Sequence, residues 1–234
     1  MNGHFAIAID GPSGAGKSSL AKRLASEFGF IYVDTGAIYR TVGLAALRRG
    51  LDCKSIDEIK PMLPTLDIGM GYNAKGEQRM LLDGEDVSAA IRQPECSIAA
   101  SDVSAHPEVR EFLMEMQRRL ARENNVIMDG RDIGTVVLPE AELKIFLTAS
   151  AEERARRRWR EEQAKGIESS YESVLEDMRY RDEQDSTRAA APLKKAEDAV
   201  LVDTTELDID QSFAFLCAVV IGRLTPGMGG MGLA

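Results

Sequence analysis

Five short apolar runs alternate with amphipathic stretches along most of the chain, and this alternation predicts the fold class. Phe5-Ala6-Ile7-Ala8-Ile9, Phe30-Ile31-Tyr32-Val33, Val126-Ile127-Met128, Leu143-Lys144-Ile145-Phe146-Leu147 and Ala199-Val200-Leu201-Val202 read as buried strands. Between them apolar residues recur at helical spacing. Leu20, Leu24 and Phe28 define one stripe, with Lys22, Arg23 and Glu27 among them. Ile38, Val42, Ala45 and Ala46 define a second between Ala37 and Arg49, with Gly50 placed as a C-terminal cap. Further helices are expected from Pro107 to about Arg122 and from Ile209 to Leu224. Two more begin at Ser-x-x-Glu spacings, Ser150 with Glu153 and Ser169 with Glu172, the latter running to about Asp185. Strands alternating with helices imply an α/β fold with a parallel sheet and right-handed crossovers.

One segment breaks the rhythm. Between about residues 61 and 96, Pro61 and Pro64 interrupt the helical pattern, and helix resumes around Val87 to Ala100 with a break near Pro94. Leu66–Met70 and Met80–Leu82 read as short antiparallel strands joined by turn chemistry at Asn73-Ala74-Lys75-Gly76. An inserted hairpin subdomain is the expectation. The Gly- and Met-rich stretch from Thr225 to Ala234 reads as a disordered tail.

Composition narrows the function classes. The chain has 234 residues, enough for one large domain, and a formal net charge of −9. That charge argues against a general nucleic-acid or membrane-surface binder, so an anionic ligand must be held by local clusters of Arg and Lys. Cys53, Cys96 and Cys217 are widely spaced and suggest neither a disulfide framework nor a metal site. Without an apolar span or a signal-peptide pattern, a cytoplasmic protein is expected, a monomer needing no protein partner.

The chemistry begins at Gly11-Pro12-Ser13-Gly14-Ala15-Gly16-Lys17-Ser18, which matches G-x-x-x-x-G-K-S between a strand and a helix. Such a loop cradles phosphates with converging backbone N–H groups, Lys17 serves the outer phosphates, and Ser18 is placed to ligate Mg²⁺. Ligands of parallel sheets bind beyond the carboxyl ends of the strands. At those ends stand this loop, Asp34-Thr35-Gly36 and Asp129-Gly130-Arg131-Asp132. Asp129 is a candidate for a Mg²⁺ role; a turn-capping role is the other reading. Arg154, Arg156, Arg157, Arg158 and Arg160 form the densest positive stretch and read as a lid over transferring phosphates, or else as a solvated face paired with nearby glutamates. Arg181, Asp185 and Arg188 share a helix face, a spacing that alone indicates a surface ladder. No Ser/His/Asp or Cys/His arrangement offers a covalent nucleophile, and an Asn-Lys-x-Asp guanine-reading motif is absent. The lack of a candidate base favours a phosphate acceptor over a hydroxyl.

Four motifs in order carry a family resemblance: the loop from Gly11 to Lys17, Asp34-Thr35-Gly36-Ala37-Ile38-Tyr39-Arg40, Asp129-Gly130-Arg131-Asp132-Ile133-Gly134-Thr135, and Arg181-Asp182 with Asp185 and Arg188-Ala189-Ala190-Ala191-Pro192-Leu193. From about Phe5 to about Leu224 the chain resembles the bacterial cytidylate kinases. The resemblance implies a P-loop kinase fold of three α/β/α layers around a parallel five-stranded sheet. It adds a lid at about residues 150–168 and an inserted, β-containing subdomain for the nucleoside monophosphate at about 61–96. It implies γ-phosphoryl transfer from ATP to CMP or dCMP with Mg²⁺. ATP would lie on residues Gly11 to Ser19. By position, Ser101, Arg110 and Asp132 would read cytosine, Arg181 and Asp185 the ribose, and Arg40, Arg131 and Arg188 the acceptor phosphate, with Thr35 and Tyr39 shaping that pocket. Lys17, Arg131, Arg188 and the lid residues Arg157 and Arg158 would be catalytic. Ser18-Ser19 follows the lysine where the family often has Gly-Thr, leaving open which hydroxyl meets the metal. The competing readings are a kinase for another monophosphate or a shikimate-like alcohol, and a non-catalytic ATP-dependent switch.

Overall fold

β1 (Ala6–Asp10) sends alternate side chains to opposite faces, so that Ala6 and Ala8 join one buried cluster and Ile7 and Ile9 another. In the computed structural model, which describes residues 4–74 and 76–225, every residue of this strand is buried. It pairs with β6 (Val126–Gly130) on one side and β7 (Leu143–Thr148) on the other. β2 (Ile31–Asp34) and β8 (Val200–Asp203) complete an all-parallel five-stranded sheet in the order β2-β6-β1-β7-β8. One face is covered by α2 (Thr35–Arg48), α4 (Pro94–Ser104) and α5 (Pro107–Glu123), through Ile38, Val42, Ala99, Val103, Val109 and Leu113. The other is covered by α1 (Lys17–Phe28) and α8 (Ile209–Leu224), through Leu20, Leu24, Leu216 and Val220. These are the three layers expected.

α4 lies hard against α2. A Cβ on Gly43 would sit 2.9 Å from the Ala99 methyl, so glycine permits the crossing. Between α2 and α4 lie α3 (Ile56–Met62) and an antiparallel sheet of β3 (Ile68–Tyr72), β4 (Gln78–Leu82) and β5 (Glu85–Asp86), a short third strand added to the expected hairpin. One proline expectation is corrected and one is met, because Gln93 is extended between a 3-10 turn at Ala90–Arg92 and the helix that follows. Pro61 lies inside the last turn of α3 instead of ending it, and Pro94 opens α4 at a position where its missing N–H costs nothing. The insert clips onto the edge of the main sheet: the Tyr72 hydroxyl donates to Tyr32 O at 2.9 Å, and the Gln78 amide accepts from Asp34 N at 2.7 Å.

α6 (Ala151–Ala164) and α7 (Tyr171–Thr187) pack on each other around their own small cluster of Ala155, Val174 and Met178. Ser150 caps α6 by accepting from Glu153 N, but the Glu153 carboxylate does not close the box. It pairs instead with Arg156 and Arg157. The second cap is shifted by one residue: Ser170 caps α7. Trp159 Nε1 and Gln163 Nε2 both donate to Ser169 O, tying Ser169 to α6, so the helix starts after it. The tail expectation falls on residues 226–234, outside the described residues; Thr225 itself caps α8 through its hydroxyl on Ile221 O.

Candidate active site

The sheet register sets the site. Asp34 is level with Asp129 and Asp10 is level with Gly130, so three adjacent strands release their polar ends at one height. β1 leads into Gly11, whose φ of +149° and whose Cβ position, 1.9 Å from Leu147 O, admit only glycine. The loop then closes on Lys17, the first residue of α1, so the loop amides and the helix N-terminus face the same space. Lys17 is buried and its ammonium donates to Gly11 O and Pro12 O, each at 2.7 Å. Burial, then the charge of Arg131, pushes its pKa down to about 7. A bound polyphosphate would restore the charged form.

Asp129 collects the hydroxyls around it. Ser18 Oγ donates to one carboxylate oxygen at 2.8 Å and the Tyr32 hydroxyl to the other at 2.9 Å, while Thr35 Oγ1 donates to its carbonyl at 2.8 Å. Burial first, then Asp34, raises the Asp129 carboxyl above its usual range. Ser18 meets Asp129, and Ser19 is exposed. A hydroxyl and a carboxylate at the foot of a phosphate loop are hard oxygen donors suited to Mg²⁺, which takes its remaining ligands from phosphates and water.

On the β2 side, Asp34 caps α2 by accepting from Ala37 N, binds Arg40 at 2.8 Å and meets Arg92 at 3.1 Å. Burial is the largest influence on its carboxyl, yet Arg40, Arg92 and the Ala37 amide together hold it below the usual range. Beyond β6, Arg110 and Asp132 form a buried ion pair, and Arg188 reaches the second oxygen of Asp132 at 3.3 Å. The Arg110 guanidinium lies 5.6 Å from the centre of the Tyr39 ring. Arg131 Nε donates to Asp185 at 2.6 Å. Arg181 makes no hydrogen bond or ion pair among the described residues; its pKa is lowered by burial, then by Arg131. A cation held near other cations is a ready anion or hydroxyl contact. The ladder face of α7 therefore turns inward, which periodicity alone did not indicate.

Not every expected residue converges. Ser101 lies on α4 and its hydroxyl makes no hydrogen bond among the described residues. Arg157 is committed to the chain after β8, donating to Thr204 O at 2.6 Å and Leu207 O at 3.3 Å. Arg158 pairs with Glu162 on its own helix and is near enough to Arg181 to depress that residue's pKa.

Asp10 went unnoticed in the sequence, although an acidic residue ending an apolar run immediately before the loop was a usable signal. Its two carboxylate oxygens accept from Ile133 N and Gly134 N, both at 2.7 Å, and so hold the turn that carries Arg131 and Asp132. Burial is the main cause raising its pKa to about 6. The folded chain thus holds a proton between about pH 4 and pH 6 that the unfolded chain releases. Unfolding free energy is therefore expected to fall relative to an Asp10→Asn variant, by up to about 3 kcal/mol, as pH rises through that window. Denaturant titrations at several pH values measure it, and a pH-independent difference would refute the assignment.

A family model described as cytidylate kinase matches residues 7–220. The chain is 54% identical over 217 residues to the cytidylate kinase of Carboxydothermus hydrogenoformans, covering 93% of this chain and 97% of that one. It is 53% identical over 205 residues to the cytidylate kinase of Caldicellulosiruptor saccharolyticus, covering 88% and 90%. An uncharacterized protein from Eubacterium ventriosum, at 12% identity and a TM-score of 0.53 over 94% of this chain and all of that one, shares the fold.

Proposed function

This chain belongs to the cytidylate kinase family, an enzyme transferring the γ-phosphoryl group of ATP to CMP, and on that premise we propose how its residues divide the work. The observation that carries the division is the buried Arg110–Asp132 pair, joined by Arg188, beside the phosphate loop. Cytosine presents an exocyclic amine, a ring nitrogen and a carbonyl; a carboxylate accepts from the amine and a guanidinium donates to the other two. Asp132 and Arg110 supply both halves, and Ser101 of α4 would add a hydroxyl contact.

Arg181 and Asp185 take the ribose, and Arg40, Arg131 and Arg188 take the acceptor phosphate, with Thr35 and Tyr39 forming its wall. The donor lies on Gly11 to Ser19, its outer phosphates on Lys17. Mg²⁺ would be held by Ser18 and Asp129, and when bound it would neutralise charge on the donor phosphates. The acceptor phosphate is already an anion near neutral pH, so its oxygen attacks without a general base, and positioning with charge neutralisation does the catalytic work. His106 is engaged with the carbonyl of Cys53, away from this chemistry. Arg158 is the lid cation we assign to the transferring group; Arg157 anchors the lid helix to the chain after β8 and acts through that anchoring. The lid at about residues 150–168 and the insert at about 61–96 close over the paired nucleotides and exclude water, which would otherwise accept the phosphoryl group.

We place the enzyme in the cytoplasm as a monomer that binds neither nucleic acid nor membrane; among the described residues no helix is long and apolar enough to cross a bilayer. A coupled assay of ADP formation against CMP, dCMP, UMP, AMP and GMP tests the reading. CMP and dCMP should be the best acceptors, and activity with AMP or GMP but not CMP would overturn it.

A further inference from the structure

Of the five arginines of α6, Arg154 has no part in the nucleotide-binding and base-reading roles above and is the most buried, 4% exposed. Its Nε donates to Ala149 O at 2.8 Å and its NH1 to Ser13 O, in the apex of the phosphate loop, at 2.9 Å. Asp182 of α7 grips the same guanidinium with both carboxylate oxygens, at 3.0 and 2.6 Å. The loop apex is packed there as well: a Cβ on Gly14 would meet Met178 Cε at 2.7 Å and Arg154 Cβ at 3.2 Å.

A trans peptide points its C=O and the following N–H in opposite directions. A Ser13 carbonyl held toward α6 therefore aims the Gly14 N–H away from α6. Gly14, at φ +76°, follows in the left-handed conformation that builds an anion-binding nest. Gly14 N makes no hydrogen bond within the described residues, so it is free for a phosphate oxygen. We propose that Arg154, held by Asp182, is a positioning residue that orients the Ser13–Gly14 peptide for the donor phosphates. The bidentate fork matters: one face of the guanidinium binds the carboxylate while another N–H reaches the carbonyl, a combination a lysine ammonium on its flexible stem does not reproduce.

The proposal rests on the Gly11–Ser18 loop being the donor site, so its test includes ADP binding measured without any acceptor. That keeps failure of the peptide assignment distinct from failure of the cytosine assignment. Arg154→Lys and Asp182→Asn are compared with the unaltered enzyme by calorimetric ADP titration and steady-state kinetics. The ADP Kd and the KM for ATP should each rise about tenfold, and the KM for CMP should stay within about threefold. The double variant should lose no more than the worse single one, because both substitutions release the same peptide. Asp182 is partly solvent-facing, at 27% side-chain exposure, so Asp182→Asn carries the test even if Arg154→Lys fails to fold. A lowered melting temperature with unchanged ADP affinity would overturn the proposal. So would a parallel rise in both KM values, which would mean that α7 as a whole had shifted.

Discussion

Lys17→Ala is expected to lower kcat for CMP phosphorylation by about 10²–10³-fold while leaving the KM for CMP within a few-fold. The ammonium is the one cation carried by the phosphate loop itself, and it stands 2.7 Å from two loop carbonyls, Gly11 O and Pro12 O. Its burial makes the charge expensive in the free enzyme, as the pKa pushed down to about 7 records. Charge developing on the donor phosphates removes that penalty, so the interaction strengthens toward the transition state, which is the condition for raising kcat. The alanine variant should retain its melting temperature to within a few degrees, since the group removed is a buried cation whose charged form burial already disfavours. A variant turning over within threefold of the parent would remove Lys17 from the catalytic machinery.

Asp132 should control which base is accepted. With Asp132→Asn the ratio of kcat/KM for CMP over UMP is expected to fall by roughly 100-fold, mostly because UMP improves. Uracil presents a carbonyl oxygen where cytosine presents an amine, and a carboxylate rejects the one as strongly as it accepts the other. Asparagine keeps the shape and can donate to that oxygen. Asp132→Ala is the harsher change, because Arg110 and Arg188 would be left facing each other without their shared anion. Breaking a buried pair in this way costs about 3–5 kcal/mol, so the alanine variant should also melt early. Parallel CMP and UMP kinetics on both variants separate selection from stability, and undiminished discrimination in the asparagine variant would move base reading elsewhere.

Much of the architecture was legible because it rests on periodicity. The five strands follow from where apolar residues recur, with limits within two residues of the apolar runs, whereas α4, expected from about Val87 to Ala100, runs from Pro94 to Ser104. The misreadings have local causes. Proline was taken as a breaker at Pro61, yet it sits in the final turn of α3. The cap of α7 moved from Ser169 to Ser170 because side chains of α6 hold Ser169. Gln78 and Arg92 carried no motif that pattern rules could separate from ordinary surface or strand-end polar residues; Asp10 offered only its place at the end of an apolar run, and Arg154 and Asp182 only their places in the arginine-rich stretch and the Arg181-Asp182 motif, with nothing to show that they pair.

By itself, then, the chain determined a parallel α/β sheet, a phosphate loop and polar strand ends, because glycine spacing and hydrophobic period are local properties. Which polar residues meet was decided only in three dimensions. Asp132 and Arg110 are 22 residues apart, Arg131 and Asp185 are 54 apart, and Ser13 and Arg154 are 141 apart. Those meetings depend on strand order, on the register that levels Asp34 with Asp129, and on the packing of α7 against α6. Ion pairs between such distant residues leave no period in the sequence. It was the same folding that set Ser18 against Asp129, left Ser19 outside, and tied Arg157 to the chain after β8.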